Sequence, residues 1–188
     1  MFEEAEAHLS GATFIAKVRA FEARVGADVV KRAIAKLPDD RVAEYEAVVP
    51  VAWVRASTAD LLFEAIADEA GASLFTIYPA IVEEAVGNVL RTLWRSMAPA
   101  ANDDALVQRI PQFYAKGHDR GQLRVHVREP GRAELELTGW PDASELRLLG
   151  IAGTSVAILV HAGREDVAVS RRRTDDGAMF ELRWRQPV

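Results

Sequence analysis

Few side chains in this sequence stand at spacings that do chemistry. Gly153-Thr154-Ser155-Val156-Ala157 comes nearest, because a serine set between glycines is how a nucleophile elbow exposes its hydroxyl. Its second glycine is missing, and the segment reads as the interior of an apolar helix rather than a strained strand-to-helix turn. Ser155 is therefore expected to bond its own helix backbone. The histidines His8, His118, His126 and His161 include no i, i+4 pair, and the nearest carboxylates, Asp119 and Glu129, sit in a hinge and a turn. No G-x-G-x-x-G and no G-x-x-x-x-G-K occurs, so nucleotide phosphates find no glycine cradle. Arg171-Arg172-Arg173 runs into Asp175-Asp176 and reads as a solvated turn, with a phosphate or acidic-partner contact as the sharper alternative. The expectation is no catalytic residue and no metal ligand.

What remains is a set of aromatics, Trp53, Tyr78, Trp94, Phe113, Tyr114, Trp140 and Trp184. Apolar walls with a few polar tips suit a small ligand, and Tyr78, Trp94, Tyr114, Trp140 and Trp184 are the candidate ligand-binding residues. The competing reading is that they are core.

The elements that must position them divide the chain in two. Phe14, Ile15, Val18, Phe21 and Val25 mark a helix over 12–25 that Gly26 stops, and Val29 to Leu37 mark another that Pro38 ends. Residues 39–46 add at most a turn. Val48-Val49-Pro50-Val51-Ala52-Trp53-Val54 reads as an extended buried connector, and Ser57 or Thr58 as the cap of a helix through Ile66. The longest helix is expected from Pro79 to Met97, with Val82, Val86, Val89, Leu93 and Met97 as its stripe. Asn102 caps a last helix, which Pro111 kinks or interrupts, and Gly117 to Gly121 form a hinge.

Beyond the hinge, Leu123, Val125 and Val127 alternate with polar residues, Glu129-Pro130-Gly131 turns, and Ala133, Leu135 and Leu137 alternate again. An apolar helix over 146–162 follows, with Leu149, Val156, Leu159 and Val160 as its stripe and Gly150 and Gly153 allowing close approach to the sheet. Val167 and Val169, the turn Thr174-Asp175-Asp176-Gly177, and Phe180, Leu182 and Trp184 make a second hairpin. The fold class is α+β: five or six helices over 10–118 packed on a four-stranded antiparallel sheet, in ββαββ order over 121–186, as one domain over 1–188.

The chain has 188 residues, 49% hydrophobic, no cysteine and a net charge of −5. Burial alone can fold it without disulfides, and a reducing cytoplasm suits it. The acidic balance argues against a general nucleic-acid binder. No apolar run approaches the ~20 residues that cross a bilayer, and Met1-Phe2-Glu3-Glu4 is acidic where a secretory signal is basic. The expectation is a cytoplasmic protein with no membrane association.

Taken in order, Val49 to Val54, Tyr78 to Met97, Ile110-Pro111-Gln112-Phe113-Tyr114, Gly121 to Val125, Leu137-Thr138-Gly139-Trp140-Pro141 and Phe180 to Trp184 resemble an uncharacterised myxobacterial paralogous family. Helices followed by ββαββ also resemble heme-nitric-oxide-binding, 4-vinyl-reductase-type and TRAPP-subunit domains. That resemblance implies small-molecule sensing or protein docking, often as dimers. Heme-binding members carry Tyr-x-Ser-x-Arg and an iron-ligating histidine, whereas Tyr45, Tyr78 and Tyr114 here begin no such motif. His8 falls in an N-terminal tail, His118 in the hinge, His126 on the wet sheet face and His161 at a helix end, so none is expected to reach the core. The reading is a non-enzymatic regulatory module with no cofactor, taking a small apolar ligand between helices and sheet. The alternative is a protein-interaction domain, with homodimerisation through the helical half near Trp94.

Overall fold

The computed structural model describes residues 6–93 and 102–186. Its elements run β1 (His8–Ser10), α1 (Gly11–Val25), α2 (Ala27–Ile34), α3 (Asp39–Glu46), β2 (Trp53–Arg55), α4 (Ala56–Glu69), α5 (Leu74–Leu93), α6 (Asp103–Gly117), β3 (Gln122–Glu129), β4 (Arg132–Thr138), α7 (Glu145–His161), β5 (Glu165–Thr174) and β6 (Gly177–Arg185). The α+β class and the ββαββ order of the second half are as the sequence implies. The sheet is antiparallel in the order β3-β4-β6-β5, and β1 pairs with β2 as a separate short ribbon.

Local chemistry explains most boundaries. The Ser10 hydroxyl accepts from Thr13 N–H at the start of α1, and Gly26, at φ 93°, ends that helix with a left-handed turn. Asn102 caps α6 by accepting from Ala105 N–H at 2.9 Å, and Ser144 caps α7 by accepting from Arg147 N–H at 3.2 Å. One proline expectation fails, and of the two readings of Pro111 the interruption is excluded. Pro79 lies inside α5 rather than at its start, and α6 continues through Pro111 to Gly117. Each proline removes one backbone bond, but Tyr78, Ile81 and Val82 beside the first and Ile110 and Tyr114 beside the second are buried, and that packing outweighs the loss.

Other expectations are corrected as well. Residues 39–46 form a complete helix. The connector before α4 is not buried: Val51 is 90% exposed and Trp53 also faces solvent, leaving Val54 alone inside. Neither Ser57 nor Thr58 caps α4, because both hydroxyls are turned to Arg41. Arg171 to Arg173 lie within β5 rather than in a turn, where Arg171 and Arg173 pair with Glu145. Residues 94–97, and with them Trp94 and the end of the long stripe, lie outside the described residues.

Two apolar clusters make the core. One joins α1, α2, α4 and α5 around Phe14, Phe21, Phe63 and Tyr78, and the other joins α6, α7 and the dry sheet face around Leu135, Leu137, Phe180 and Leu182. Helix α7 touches both, with Leu146 in the first and Leu148, Ile151, Ile158 and Leu159 in the second. Leu149 and Val156 are only half-buried and Val160 is exposed, so the buried face is wider than the expected stripe and rotated from it. Gly150 and Gly153 face α5 rather than the sheet: a Cβ at Gly153 would stand 3.1 Å from Val82 Cγ1, and one at Gly150 3.4 Å from the Tyr78 hydroxyl. They permit a helix–helix approach.

The sheet half is closed at its edge by Asp103, at the first position of α6. Its carboxylate accepts from Arg164 Nε at 2.7 Å, Trp184 Nε1 at 3.0 Å and Gln186 Nε2 at 2.9 Å. Burial pushes this carboxyl up, but the three donors and the Arg164 charge outweigh it and hold it below its ordinary 3.8. A depressed carboxyl contributes stability above its unfolded value and loses it as pH falls through the folded one. Asp103→Asn is accordingly expected to cost about 1–3 kcal/mol in neutral urea melts. The deficit against wild type should shrink below pH 3.8; a deficit constant down to pH 2 would mean that the charge of Asp103 is not what holds the edge.

Candidate functional site

A cavity of about 610 Å³ opens where the two halves meet. Helix α1 supplies Ala12, Thr13, Ala16 and Lys17; α5 supplies Ala85, Val86 and Val89; α6 supplies Arg109, Ile110, Phe113, Tyr114 and Lys116; Leu123 of β3 and Ile151 and Thr154 of α7 complete the walls. The volume is in the range of sites for small organic ligands. The lining is largely apolar.

The inner end of this cavity is polar and held by unusual groups. Lys17 follows Phe14 and precedes Val18 and Phe21 on the apolar side of α1, and it is only 5% exposed. Its amine donates to the Tyr78 hydroxyl at 2.8 Å and stands 5.2 Å from that ring's centre. Among the described residues no carboxylate pairs with it. Burial, with the Arg147 charge adding to it, lowers the Lys17 pKa to about 7, and burial alone pushes the Tyr78 phenol up. Gly150 of α7 faces these two polar ends, a Cβ there lying in ordinary contact at 3.6 Å from the Lys17 amine.

His118 closes the same end. The ribbon latches it in place: Leu9 bridges to His118, His8 N–H donates to Asp119 Oδ1 at 2.6 Å, and His8 Nδ1 lies 2.8 Å from Asp119 Oδ2. The expected glycine hinge is therefore a tied segment, and His8 belongs to a strand rather than to a tail. The His118 ring stacks on Tyr114 at 4.5 Å and 11° and meets Trp140 edge-on at 6.1 Å. Nδ1 lies 3.2 Å from the Tyr114 carbonyl, which only accepts, so Nδ1 carries the hydrogen and Nε2 keeps a lone pair. Burial and the nearby Lys17 charge lower its pKa to about 4 against the opposing pull of the Tyr114 carbonyl and Asp119, so the ring is neutral at pH 7. The expectation that no histidine reaches the interior is corrected: His118 lines the cavity.

Of the five aromatics singled out from the sequence, Tyr114 lines the cavity and its hydroxyl donates to the Arg120 carbonyl. Tyr78 stands behind the wall against Lys17, and Trp140 against His118. Trp184 is buried at the sheet edge on Asp103, and Trp94 lies outside the described residues. Ser155 donates to the Ile151 carbonyl at 2.9 Å within its own helix. His126 sits 3.9 Å from Glu136 on the wet face, and His161 Nδ1 lies 3.0 Å from the Ala157 carbonyl. Among the described residues no group of three or more metal-binding side chains gathers, and no helix is long and apolar enough to cross a membrane. Lys17 was missed, although the spacing 14, 17, 18, 21 already puts it on an apolar helix face.

No family model and no curated protein matches the chain. Solved structures do. A Cs H-NOX mutant carrying an unnatural amino acid superposes with a TM-score of 0.70 at 14% identity, over 95% of this chain and 98% of that one. An oxygen-binding H-NOX domain related to soluble guanylate cyclases gives 0.67 at 12%, over 95% and 96%. The Fe(II) unliganded H-NOX protein from K. algicida gives 0.66 at 10%, over 95% and 98%. Over nearly its whole length, then, this chain has the fold of the H-NOX domains.

Proposed function

We propose that this chain is a non-enzymatic sensing or regulatory module that binds a small, predominantly apolar ligand between its helical half and its sheet. The observation that carries the reading is the cavity itself: about 610 Å³ walled by α1, α5, α6, α7 and β3, where a packed core would leave no such space. The walls belong to both halves, so an occupant bears on their relative packing and can alter surfaces far from itself. The likeness to H-NOX domains, among them an oxygen-binding one, supports a ligand-binding role.

The test fills the space. Val86 lines the cavity from α5 and is half-buried, so Val86→Trp is expected to occupy it while the chain still folds. Native mass spectrometry of the purified protein, with titration of a neutral naphthylamine fluorophore, should show binding in wild type and at least about tenfold weaker binding in the variant, the cost of about 1.4 kcal/mol in lost contacts. Equal binding in both would place the ligand elsewhere. No binding in either would favour a protein-interaction domain.

One observation favours a second reading, a heme-based sensor. His118 is neutral, lines the cavity and has Nδ1 committed to a carbonyl, the arrangement in which an imidazole offers Nε2 to a metal. His118 would hold the iron, and a bound heme would supply gas-binding chemistry at it. The cations Lys17, Arg109 and Lys116 would face the propionates. Against it, the His118 ring is already packed on Tyr114 and Trp140, and no Tyr-x-Ser-x-Arg occurs. Expression with heme precursor decides: a near-stoichiometric Soret band that vanishes in His118→Ala establishes it, and a colourless protein removes it.

A further inference from the structure

The cavity's charges are one-sided. Among the described residues its lining includes Lys17, Arg109, Lys116 and His118 and no aspartate or glutamate, in a chain that has 28 acidic residues against 23 basic. On α6 Lys116 is exposed and Arg109 half-buried, whereas Lys17 is enclosed. An enclosed ammonium normally has a carboxylate partner, because removing it from water costs several kcal/mol that only a counter-charge offsets. The Lys17 amine has three donors, and the Tyr78 hydroxyl accepts one. Thr13, one turn before Lys17 on α1, and Thr154, one turn after Gly150 on α7, also line the cavity.

Resting on the cavity reading above, we propose that the ligand is a single-tailed apolar carboxylate, its head on Lys17 Nζ and its tail along Val86, Val89, Ile110, Phe113 and Leu123. One enclosed cation matches one negative charge. A phosphate monoester would bring nearly two and ask for several fixed donors at once, whereas Lys17 is the one enclosed cation among the described lining residues, Arg147 behind it being paired with Asp60. The groups that bear on Lys17 are Tyr78 from α5, Arg147 from α7 and His118 at the end of α6, with Asp119 beyond His118 and tied to His8, so among the described residues no acid pairs with the amine. Binding also couples to protons. In the empty cavity the amine is largely neutral at pH 8, and a carboxylate beside it restores the ordinary protonated form.

Calorimetric titration of the full chain with decanoic acid and with decanol, at pH 8 in two buffers of different ionisation enthalpy, tests this. The acid should bind at least about tenfold more tightly than the alcohol, as a charge-assisted pair predicts, and should take up close to one proton per ligand bound. Lys17→Met should abolish both the preference and the uptake, bringing the affinity for the acid to that for the alcohol. Lys17→Arg should keep the preference without the uptake, since a guanidinium stays charged throughout. Decanol binding as tightly as the acid, or an acid preference that survives in Lys17→Met, overturns the assignment and leaves the cavity reading standing. Failure of both compounds overturns both.

Discussion

Gly153→Leu should lower the melting temperature by several degrees. A Cβ at this position would lie 3.1 Å from Val82 Cγ1 and 3.3 Å from Val82 Cβ, so even the first added carbon presses on α5, and leucine adds three more beyond it. Val82 is fully buried and cannot turn away without disturbing Phe63 and Tyr78 in the same cluster. Overpacking of this kind costs about 1–3 kcal/mol or more, against a gain of at most about 1 kcal/mol from replacing a helical glycine. For a chain of this size each kcal/mol moves the midpoint by roughly 2–4 °C. Val82→Ala removes the methyls in the way, so the double variant should recover part of the loss, and the two changes should be strongly non-additive. A Gly153→Leu protein melting at the wild-type temperature would show that α5 and α7 are not in contact there.

That glycine illustrates how far the sequence can be read. The two hairpins and α7 were legible because a two-residue alternation and an unbroken apolar run depend only on neighbours along the chain. The close approach at Gly153 was legible too, but not its direction. A missing Cβ says that something comes near, whereas which element does so is decided by packing between α5 and α7. Pro79 misled for the same reason: a local rule puts a helix start there, and buried neighbours carry α5 through it, as they carry α6 through Pro111. The 48–54 segment has the composition of a buried strand, yet only Val54 is buried and Val48 packs in part against the core.

The candidate site was harder still. The segment His118-Asp119-Arg120 between glycines reads as a hinge, and nothing near it announces that β1, from the far end of the chain, pairs with it and turns the imidazole inward. The aromatic set was a reasonable guide to the core but not to the cavity, which large rings tend to fill. Lys17 was the readable signal. A charged side chain on an apolar helix stripe either snorkels out or meets something inside, and α1 is enclosed by α5 and α7 at that point.

A second buried cation sets up the other large effect. Arg147, in the first turn of α7, is almost fully enclosed; it pairs with Asp60 through Nη2, which also donates to the Ala56 carbonyl at 3.3 Å, while Nε and Nη1 have no hydrogen-bond partner. Burial lowers its pKa to about 9, a measure of how poorly the site compensates the charge. Asp60→Ala should therefore be severe, about 3 kcal/mol, the lower end for breaking a buried pair because the carboxylate is 24% exposed. It leaves the guanidinium enclosed without a counter-charge and also removes the acceptor of the Ser144 hydroxyl. Arg147→Met should behave oppositely: an apolar chain of similar length removes two orphaned donors, and stability should stay level or rise. The double variant should then be far more stable than Asp60→Ala alone, a coupling that urea melts of the four proteins measure directly. The change reaches the cavity as well, since Arg147 is one of the two causes that depress Lys17. In Arg147→Met the lysine should titrate higher and the proton uptake on binding decanoate at pH 8 should shrink. Arg147→Met as damaging as Asp60→Ala would mean that the guanidinium is a net stabiliser, and that the enclosure of positive charge around this cavity costs the fold nothing.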